Sequence, residues 1–341
     1  MMPLALREAW CIARKSSVRK LYNAYRLRRS YEHSRKLGKS LHQGLPLSLS
    51  IEPTTACNLR CPECISGLRS FTRPTGMLQK QILKAVLDEL DEYLLYLNFY
   101  FQGEPFLNPS FLEQVGEAAQ RGIFTSTSTN GHYLNSEMAE AVVRSGLDKL
   151  IISLDGTTQE TYAQYRVGGQ IDKVLEGTRQ IIEAKRRLRS ASPLVVWQFL
   201  VVRPNEHQIE EARQMARKLG VDGIVFKTAQ IYDYAQGSPL IPTNTRYSRY
   251  RPLGNGQYAL KNALDDHCWR MWSSCVITWD GRVVPCCFDK DAQHSLGKLP
   301  QESFRSLWQG EAYNHFRQLI LSNRSQIDIC QNCTEGSKVW A

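Results

Sequence analysis

The chain has 341 residues, 42% of them hydrophobic and 22% charged, with a formal net charge of +10, a composition typical of a soluble globular protein with one large core and a smaller domain. No run approaches the roughly 18 apolar residues of a membrane-spanning helix, and Arg7, Glu8, Arg14 and Lys15 interrupt the N-terminus before a signal-peptide core forms. These features exclude a transmembrane segment and predict a cytoplasmic protein.

The positive charge is concentrated in residues 1–46, which carry eleven Lys or Arg residues against Glu8 and Glu32. Within residues 8–28, apolar side chains recur at near-helical spacing, at Cys11, Val18, Leu21, Tyr22 and Tyr25. The pattern predicts a basic amphipathic helix. Three roles stay open for its apolar stripe: packing over the following domain, contact with an anionic membrane surface, or contact with nucleic acid.

Residues 47–231 alternate β-branched apolar runs with segments of helical period. The predicted strands cover residues 47–55, 96–102, 123–129, 149–155, 194–202 and 223–231. The predicted helices cover residues 79–92, 109–121, 135–145, 171–189 and 206–219. Successive strand–helix units imply a parallel sheet with right-handed crossovers, so the predicted fold class is α/β, a partial (β/α)6 TIM-like barrel.

Three cysteines, Cys57, Cys61 and Cys64, share one tight loop in the sequence IEPTTACNLRCPECISG, residues 51–67. A structural zinc site or an electron-transfer iron–sulfur cluster takes four protein ligands, yet the next cysteine is Cys268. Three thiolates with one open position suit a metal centre that binds an exogenous group. The alternative is three unlinked thiols that pack as small hydrophobes.

Polar or glycine-bearing motifs also follow the next three predicted strands. They are QGEP at residues 102–105, TNG at 129–131 and SLDG at 153–156. Because the C-terminal ends of barrel strands gather at one face, we expect these motifs to meet the cysteine loop in space.

The last third of the chain loses this alternation. Residues 232–262 are predicted to form a long connecting loop, rich in Tyr, Arg, Gly and Pro, that is a candidate for substrate contact. Residues 263–341 hold six of the ten cysteines, which in a large chain without an export signal indicate metal or redox chemistry. Within this region SCVITWDGRVVPCC predicts a hairpin with an Asp-Gly turn at 280–281.

The cysteine loop and the glycine–glutamate motif closely resemble those of the radical S-adenosylmethionine (SAM) superfamily, over residues 47–231. The resemblance implies that Cys57, Cys61 and Cys64 hold a 4Fe-4S cluster whose fourth iron binds SAM. It also implies that reductive cleavage of SAM yields a deoxyadenosyl radical that abstracts hydrogen from a substrate, while the protein positions the reactants. A one-electron donor such as flavodoxin or ferredoxin is an implied partner.

QGEP resembles a variant of the family's GGEP motif, with Gln102 in place of the first glycine. The resemblance therefore places Gly103, Glu104 and Pro105 near the amino group of SAM. The alternative is a helix-start turn built on Pro105.

Four further residues are implied as SAM contacts. Asn130, Ser153 and Asp155 are expected to contact the ribose or the carboxylate of SAM, and Arg166 to pair with that carboxylate, because a guanidinium matches a carboxylate fork. Each is alternatively a turn or cap residue, since Asn-Gly and Asp-Gly are strong turn dipeptides.

The second cysteine set resembles the SPASM/Twitch extension of the same family, in its short Twitch form. The resemblance implies one auxiliary 4Fe-4S cluster bound by Cys268, Cys286, Cys330 and Cys333. A four-cysteine zinc site would use the same ligands. Cys275 and Cys287 are left over, as core thiols or hydrogen-atom donors, and Cys287 is an alternative ligand to Cys286.

Four segments follow from these patterns. They are a basic helical extension (1–46), a radical SAM core barrel (47–231), a connecting loop (232–262) and a SPASM/Twitch-like auxiliary-cluster domain (263–341).

The function expected from the resemblance is a net oxidation. A fully ligated auxiliary cluster has no position for substrate and favours electron transfer. Modification of a ribosomally made peptide is the first hypothesis, because many SPASM/Twitch members act on such peptides. Dehydrogenation or epimerisation of a sugar or an aminocyclitol is the second. The third is a non-catalytic zinc-binding or nucleic-acid-binding protein.

Overall fold

The computed structural model describes residues 2–336, in two compact units. Of the described residues, unit one comprises 2–8, Cys57–Ser70 and Ser126–Ala263, and unit two comprises Ala9–Ala56, Phe71–Thr125 and 264–336. Met1 and residues 337–341, which the predicted terminal segments include, lie outside the described residues. Each unit therefore draws on stretches of chain that are far apart in sequence.

The strands confirm the predicted order of the central region. They are β1 (Ser48–Ile51), β2 (Tyr96–Asn98), β3 (Phe124–Thr129), β4 (Lys149–Ser153), β5 (Leu194–Val201), β6 (Gly223–Thr228), β7 (Tyr250–Gly254), β8 (Gln257–Leu260), β9 (Ser274–Ile277) and β10 (Val283–Val284). Each of the six strands predicted between residues 47 and 231 contains one of β1 to β6, with shorter ends.

The helices alternate with these strands. They are α1 (Leu4–Arg14), α2 (Val18–Leu37), α3 (Ile65–Leu68), α4 (Lys80–Leu90), α5 (Phe111–Gln120), α6 (Ser136–Arg144), α7 (Gln159–Tyr165), α8 (Ile171–Arg187), α9 (Ile209–Leu219), α10 (Arg270–Ser273), α11 (Phe304–Gln309), α12 (Glu311–Asn323) and α13 (Asp328–Gln331). The five predicted interstrand helices are present as α4, α5, α6, α8 and α9, whereas α7 was not predicted. Within residues 2–336, no helix has the length and apolarity needed to cross a membrane.

In unit two, β1 pairs in parallel with β2 on one side and with β9 on the other, and β10 pairs antiparallel with β9. The predicted hairpin with its Asp-Gly turn is therefore confirmed. Gly281 has a φ of +88°, and an added Cβ would lie 2.3 Å from the carbonyl oxygen of Leu299, so the turn requires glycine. The pairing of β9 with β1 was not predicted, because it joins residues more than two hundred positions apart.

In unit one, β4 pairs in parallel with β3 and β5, and β5 with β6. Most side chains of β5 are buried on both faces, as is usual for parallel sheets covered by helices. Trp197 on β5 is fully buried and its indole N–H donates to Thr178 Oγ1 on α8, at 3.2 Å. The predicted parallel α/β architecture is confirmed.

The prediction of an unstructured loop over residues 232–262 was wrong in part. β7 and β8 form an antiparallel hairpin whose turn residues, Asn255 and Gly256, both have positive φ (+49° and +77°). Asn-Gly is the dipeptide that a two-residue hairpin turn favours, so the signal was present in the sequence. The hairpin is anchored by Tyr250, whose hydroxyl donates to the carbonyl oxygen of Ile231 and accepts from its N–H.

The N-terminal extension is helical, as predicted, but it forms two helices. In α2 the hydroxyl of Ser17 caps the first turn and Gly38, with a φ of +64°, ends the last. The buried residues of α2 are Lys20, Asn23, Leu27, Ser30, Tyr31 and Ser34. Of the predicted apolar stripe, Cys11 lies on α1 and is half-buried, whereas Val18, Leu21, Tyr22 and Tyr25 lie opposite the buried face of α2 and are exposed. The hypothesis that the stripe packs against the rest of the chain is therefore wrong for these four residues.

Candidate functional site

The cysteine loop follows β1 and turns back on itself at α3, which begins directly after Cys64. An added Cβ on Gly67 would lie 2.5 Å from the backbone nitrogen and oxygen of Cys61, so glycine lets α3 lie directly against the loop. Cys61 is buried, while Cys57 and Cys64 are half-buried. Cys57 and Cys64 pack against the buried cluster that contains Cys61, so the three thiols lie together as one candidate donor set.

The electrostatics of this donor set suit a bound metal cluster. Burial raises the pKa of the Cys61 thiol to about 11; Arg166 opposes this shift, and Cys64 and Cys57 add to it. A bound metal centre deprotonates its thiol ligands, and so overcomes the mutual repulsion that three neighbouring thiolates would otherwise feel. The residues present therefore fit a three-thiolate cluster with an open position.

Two of the predicted SAM contacts lie against this loop in unit one. The side-chain amide of Asn130, which follows β3, donates to Asn58 Oδ1 at 2.7 Å, and its nitrogen is 4.0 Å from Cys57 Sγ. Arg166, at the end of α7, places Nη1 at 3.9 Å from Cys61 Sγ. The structure brings both side chains to the cysteines; the strand-end argument predicted this for Asn130, whereas Arg166 reaches them from the end of a helix.

The side chain of Asp155 is fully buried and contacts Arg166. Its Oδ2 accepts from Arg166 Nε at 2.5 Å and its Oδ1 accepts from the backbone N–H of Leu200 at 2.6 Å. Burial raises the pKa of Asp155, and the adjacent guanidinium opposes that shift. Ser153 is also buried, at the end of β4, in register with Gln198 of β5. Asp155 therefore holds Arg166 in place from inside the sheet.

The hairpin region also lies against the cysteine loop within unit one. Ile241 and Tyr250 belong to one buried cluster with Leu59 and Cys61. Glu63, one residue before Cys64, accepts a hydrogen bond from the backbone N–H of Tyr232 at 2.8 Å. Part of residues 232–262 therefore packs against the cysteine loop.

The QGEP motif packs on the segment that leads into the cysteine loop. Gly103 has a φ of +76°, and an added Cβ would lie 2.2 Å from the carbonyl oxygen of Thr54 and 2.8 Å from that of Ala56. The backbone N–H of Glu104 donates to the carbonyl oxygen of Ala56 at 2.7 Å, and its carboxylate caps the short 3-10 turn Pro105–Leu107. The turn that was the alternative explanation is therefore present, together with a close approach to the residue before Cys57.

Replacing Gly103 by Ala tests this close approach. We expect the free energy of unfolding to fall by about 3 kcal/mol, because a left-handed backbone strain and a clash with two carbonyl oxygens add together. Gly122→Ala is the matched control, since Gly122 has a φ of +68° but no atom within 4 Å of an added Cβ, and its expected loss is about 1 kcal/mol. Urea unfolding under anaerobic conditions measures both, and equal losses would contradict the packing argument.

The second cysteine set lies in unit two. Cys268, Cys330 and Cys333 are buried and Cys286 is half-buried. An added Cβ on Gly336 would lie 2.4 Å from Cys268 Sγ, so the chain passes tightly over this thiol. Burial raises the pKa of Cys330 to about 11; Arg324 opposes the shift, and Cys268 and Cys333 add to it. Within residues 2–336, no group of three His, Cys, Asp or Glu side chains converges tightly enough for a single metal ion.

Two arginines that sequence reasoning missed accompany these thiols. Arg324 is buried, and its Nη2 lies 3.3 Å from Cys333 Sγ and donates to the carbonyl oxygen of Glu335 at 2.8 Å. Arg270 places Nη1 3.7 Å from Cys287 Sγ and pairs with the carboxylate of Glu335. Guanidinium groups beside thiolates compensate their negative charge, which fits a thiolate-ligated cluster. No spacing rule identifies Arg324, because its neighbours in space are distant in sequence.

The two leftover cysteines differ. Cys287 lies next to Cys286, and a hydrogen bond with Cys286 lowers the pKa of Cys287 to about 7, although burial opposes the shift. Both thiols therefore stay candidates for the fourth ligand. Cys275 sits in β9 in register with Leu49, and burial raises its pKa, as expected for an inert core thiol.

Comparison with known proteins defines the class. Residues 51–223 match the radical SAM superfamily and residues 268–334 match the SPASM iron–sulfur cluster-binding domain. The chain belongs to the radical SAM superfamily and carries a C-terminal SPASM domain. It is a radical SAM enzyme, and the two domains imply 4Fe-4S clusters and SAM as cofactors.

Particular relatives refine this class. The chain is 24% identical to the tungsten-containing aldehyde ferredoxin oxidoreductase cofactor-modifying protein of Pyrococcus furiosus, over 84% of this chain and 86% of that protein. It is 29% identical to the PqqA peptide cyclase of Gluconobacter oxydans, over 86% of this chain and 84% of that protein. Streptococcus suis SuiB bound to SAM matches with a TM-score of 0.62 at 14% identity, over 90% of this chain and 74% of SuiB, which confirms the fold, a partial barrel of parallel strands.

Proposed function

We propose that this radical SAM enzyme carries out a net oxidation of a ribosomally made peptide. The observation that carries the proposal is the second thiol set of unit two, which is separate in sequence from the open three-cysteine loop. In it, Cys268, Cys330 and Cys333 are buried and Arg324 lies beside Cys333. A reaction that only abstracts and returns a hydrogen atom releases no net electron. One that removes a hydrogen atom and then an electron needs somewhere to send that electron.

In this proposal Cys57, Cys61 and Cys64 hold the cluster that binds SAM. When bound, the cluster and SAM together supply the electron and the radical that start the reaction. The chain's own part is positioning. Gly67 lets α3 support Cys61, and Asn130 ties Asn58, the residue after Cys57, to the end of β3.

The proposed SAM contacts are divided between direct and supporting roles. We propose that Gly103, Glu104 and Pro105 receive the amino group of SAM, and that Asn130 and Ser153 contact its polar parts. In support, Gly103 and Glu104 approach Ala56, Asn130 follows β3 and Ser153 ends β4. Arg166 has five N–H donors, so its bond to Asp155 leaves others for the SAM carboxylate. Asp155 supports Arg166, because both of its carboxylate oxygens already accept hydrogen bonds within the chain.

We propose Cys268, Cys330, Cys333 and either Cys286 or Cys287 as the ligands of the auxiliary cluster. Four thiolates would saturate it and leave no position for substrate. Arg324 and Arg270 then favour the more negative, reduced state of such a cluster, as an electron acceptor requires.

The peptide substrate is supported by two relatives. One is named a PqqA peptide cyclase, and SuiB has also been solved with its precursor peptide SuiA, with a TM-score of 0.61 to this chain.

For the electron donor we propose flavodoxin or ferredoxin. We also propose a cytoplasmic location, because none of the ten cysteines, all within the described residues, forms a disulfide, whereas exported proteins tend to form them.

The proposed functional segments are residues 1–46, 47–231, 232–262 and 263–341. The superfamily match lies inside the second and the SPASM match inside the fourth. These functional segments cut across the two compact units, since the strands of the second segment are divided between them.

Oxidation is tested by incubating the anaerobically reconstituted enzyme with SAM, a reductant and precursor peptides encoded beside its gene. We expect formation of deoxyadenosine together with a peptide product lighter by about two hydrogen atoms, measured by mass spectrometry. A Cys330→Ala/Cys333→Ala variant is expected to retain SAM cleavage but to lose that product. A product of unchanged mass that gains deuterium from D2O would contradict net oxidation. If the enzyme converted only sugars or aminocyclitols, the peptide hypothesis would be wrong and the second hypothesis, modification of a sugar or an aminocyclitol, would be supported.

A further inference from the structure

Helix α2 presents four large apolar side chains to solvent over its first two turns. Their exposed fractions are 86% for Val18, 58% for Leu21, 61% for Tyr22 and 58% for Tyr25. The spacing of these residues, i, i+3, i+4 and i+7, places them on one face of the helix. The rings of Tyr22 and Tyr25 stack on each other, with centroids 6.5 Å apart. Contiguous exposed apolar surface of this kind marks an interaction site.

This orientation of α2 is held by contacts of its opposite face within unit two. Asn23 donates its amide to the carbonyl oxygen of Leu45 at 2.7 Å and accepts from the N–H of Leu45 at 2.9 Å. Leu27 and Tyr31 are fully buried, and the hydroxyl of Tyr31 is 2.9 Å from His267 Nδ1. A rotation that buried the exposed stripe would break these contacts, so the stripe stays outward.

The same exposed face continues in arginines. Arg29 lies eleven residues after Val18, which is three helical turns further along the same face, and Arg26 lies beside it. Both are exposed, and within the described residues 2–336 neither takes part in an ion pair. Other basic residues of α2 are engaged: Arg19 pairs with Glu92 and Arg28 with Glu32. We call Val18, Leu21, Tyr22, Tyr25, Arg26 and Arg29 the N-terminal face.

We propose that the N-terminal face binds the surface of an anionic lipid bilayer. Aliphatic side chains such as Val18 and Leu21 enter the boundary between headgroups and acyl chains, tyrosines settle at the headgroup level, and arginines pair with lipid phosphates. Arg26 and Arg29, exposed and outside the ion pairs of the described residues, complement an anionic surface.

Nucleic acid fits the same face less well. Its backbone is recognised mainly by cations, and its bases stack on aromatic rings. The two aliphatic side chains of this face, Val18 and Leu21, are 86% and 58% exposed and offer neither a charge nor a ring. The bilayer is the partner whose chemistry uses all six residues of the N-terminal face.

The test is sedimentation of the full-length reconstituted protein with vesicles of phosphatidylcholine alone or with about 30% phosphatidylglycerol. We expect binding only to the anionic vesicles, weakened by salt. Leu21→Glu/Tyr25→Glu is expected to lower the bound fraction by at least about tenfold, and Arg26→Gln/Arg29→Gln to weaken binding and reduce its salt dependence. Iron content and circular dichroism confirm that each variant is folded and loaded.

Leu253→Glu/Leu319→Glu is the matched control, because these leucines are 53% and 42% exposed and the charge change is the same. It is expected to bind like the wild type. The proposal is overturned if the wild type ignores anionic vesicles, if the Leu21→Glu/Tyr25→Glu variant binds as well as the control, or if the N-terminal face is needed only for a gel shift of RNA or DNA. The outcome is independent of whether the oxidation proposed above is correct.

Discussion

Replacing Cys57, Cys61 and Cys64 together by Ala is expected to remove about four of roughly eight irons per chain and to abolish reductive cleavage of SAM. The three thiols form one donor set, in which Gly67 holds Cys61 against α3, and no other cysteine of unit one is available to replace them. Iron and sulfide analysis after anaerobic reconstitution, with EPR of the reduced protein, measures the loss. SAM is expected to alter the EPR signal of the wild type only.

Cys11→Ala/Cys275→Ala is the control, because Cys11 stands alone on α1 and Cys275 is buried in β9. It is expected to keep the full iron content and the activity. If the wild type contained about four irons and bound zinc, the second cysteine set would hold zinc and not an iron–sulfur cluster. That result would contradict the argument for oxidation. Protein that binds only zinc would support the non-catalytic hypothesis and contradict the assignment of the open loop to SAM.

Replacing Arg166 by Leu is expected to lower the free energy of unfolding by about 3 to 5 kcal/mol, because it leaves the carboxylate of Asp155 buried without its partner. Asp155 is fully buried and only 16% of the Arg166 side chain is exposed, so solvent does not replace the lost pair. The variant is also expected to weaken SAM binding, since the same guanidinium lies beside Cys61. Urea unfolding and SAM titration, both anaerobic, measure the two effects.

The Asp155→Asn/Arg166→Leu double variant distinguishes the interaction between the two side chains from the separate contribution of each to stability. Its loss of stability is expected to be smaller than the sum of the two single losses by about 1 to 3 kcal/mol. Arg179→Leu is the control, because its pair with Glu176 is half exposed on both sides and is worth at most about 1 kcal/mol. Additive losses would show that Asp155 and Arg166 act separately, and SAM affinity unchanged in Arg166→Leu would contradict its proposed contact.

Several features were accessible from local sequence. The alternation of apolar runs and helical segments predicted β1 to β6 and five of the helices between them. Strands and helices that bury one face differ in the spacing of their apolar residues, so the two are distinguishable in the sequence. The Asp-Gly turn at 280–281 was recognised, whereas the Asn255-Gly256 turn, an equally strong signal, was missed inside a polar, glycine-rich stretch. The three-cysteine spacing identified a donor set because all of its members lie within eight residues.

The features that stayed hidden join residues far apart in the chain. The helical period of α2 identified an apolar stripe, but which face is buried depends on Leu45 and His267, so the packing hypothesis failed. The contacts of Asp155 with Arg166 and Leu200 were not predicted, because they join different elements, and its contact with SAM stays a prediction. The position of Arg324 beside Cys333 could not be predicted from the spacing of residues in the sequence.

The sequence by itself determined the superfamily, the strand and helix order, and the two cysteine sets, because each is encoded in residues that are neighbours along the chain. Only the tertiary structure decided the pairing of β9 with β1, the arginines beside the thiols and the outward orientation of the N-terminal face. The physical reason is that long-range contacts are selected by the packing of complete elements. The surfaces that pack against each other are built from several segments of the chain, so the sequence of one segment does not specify them.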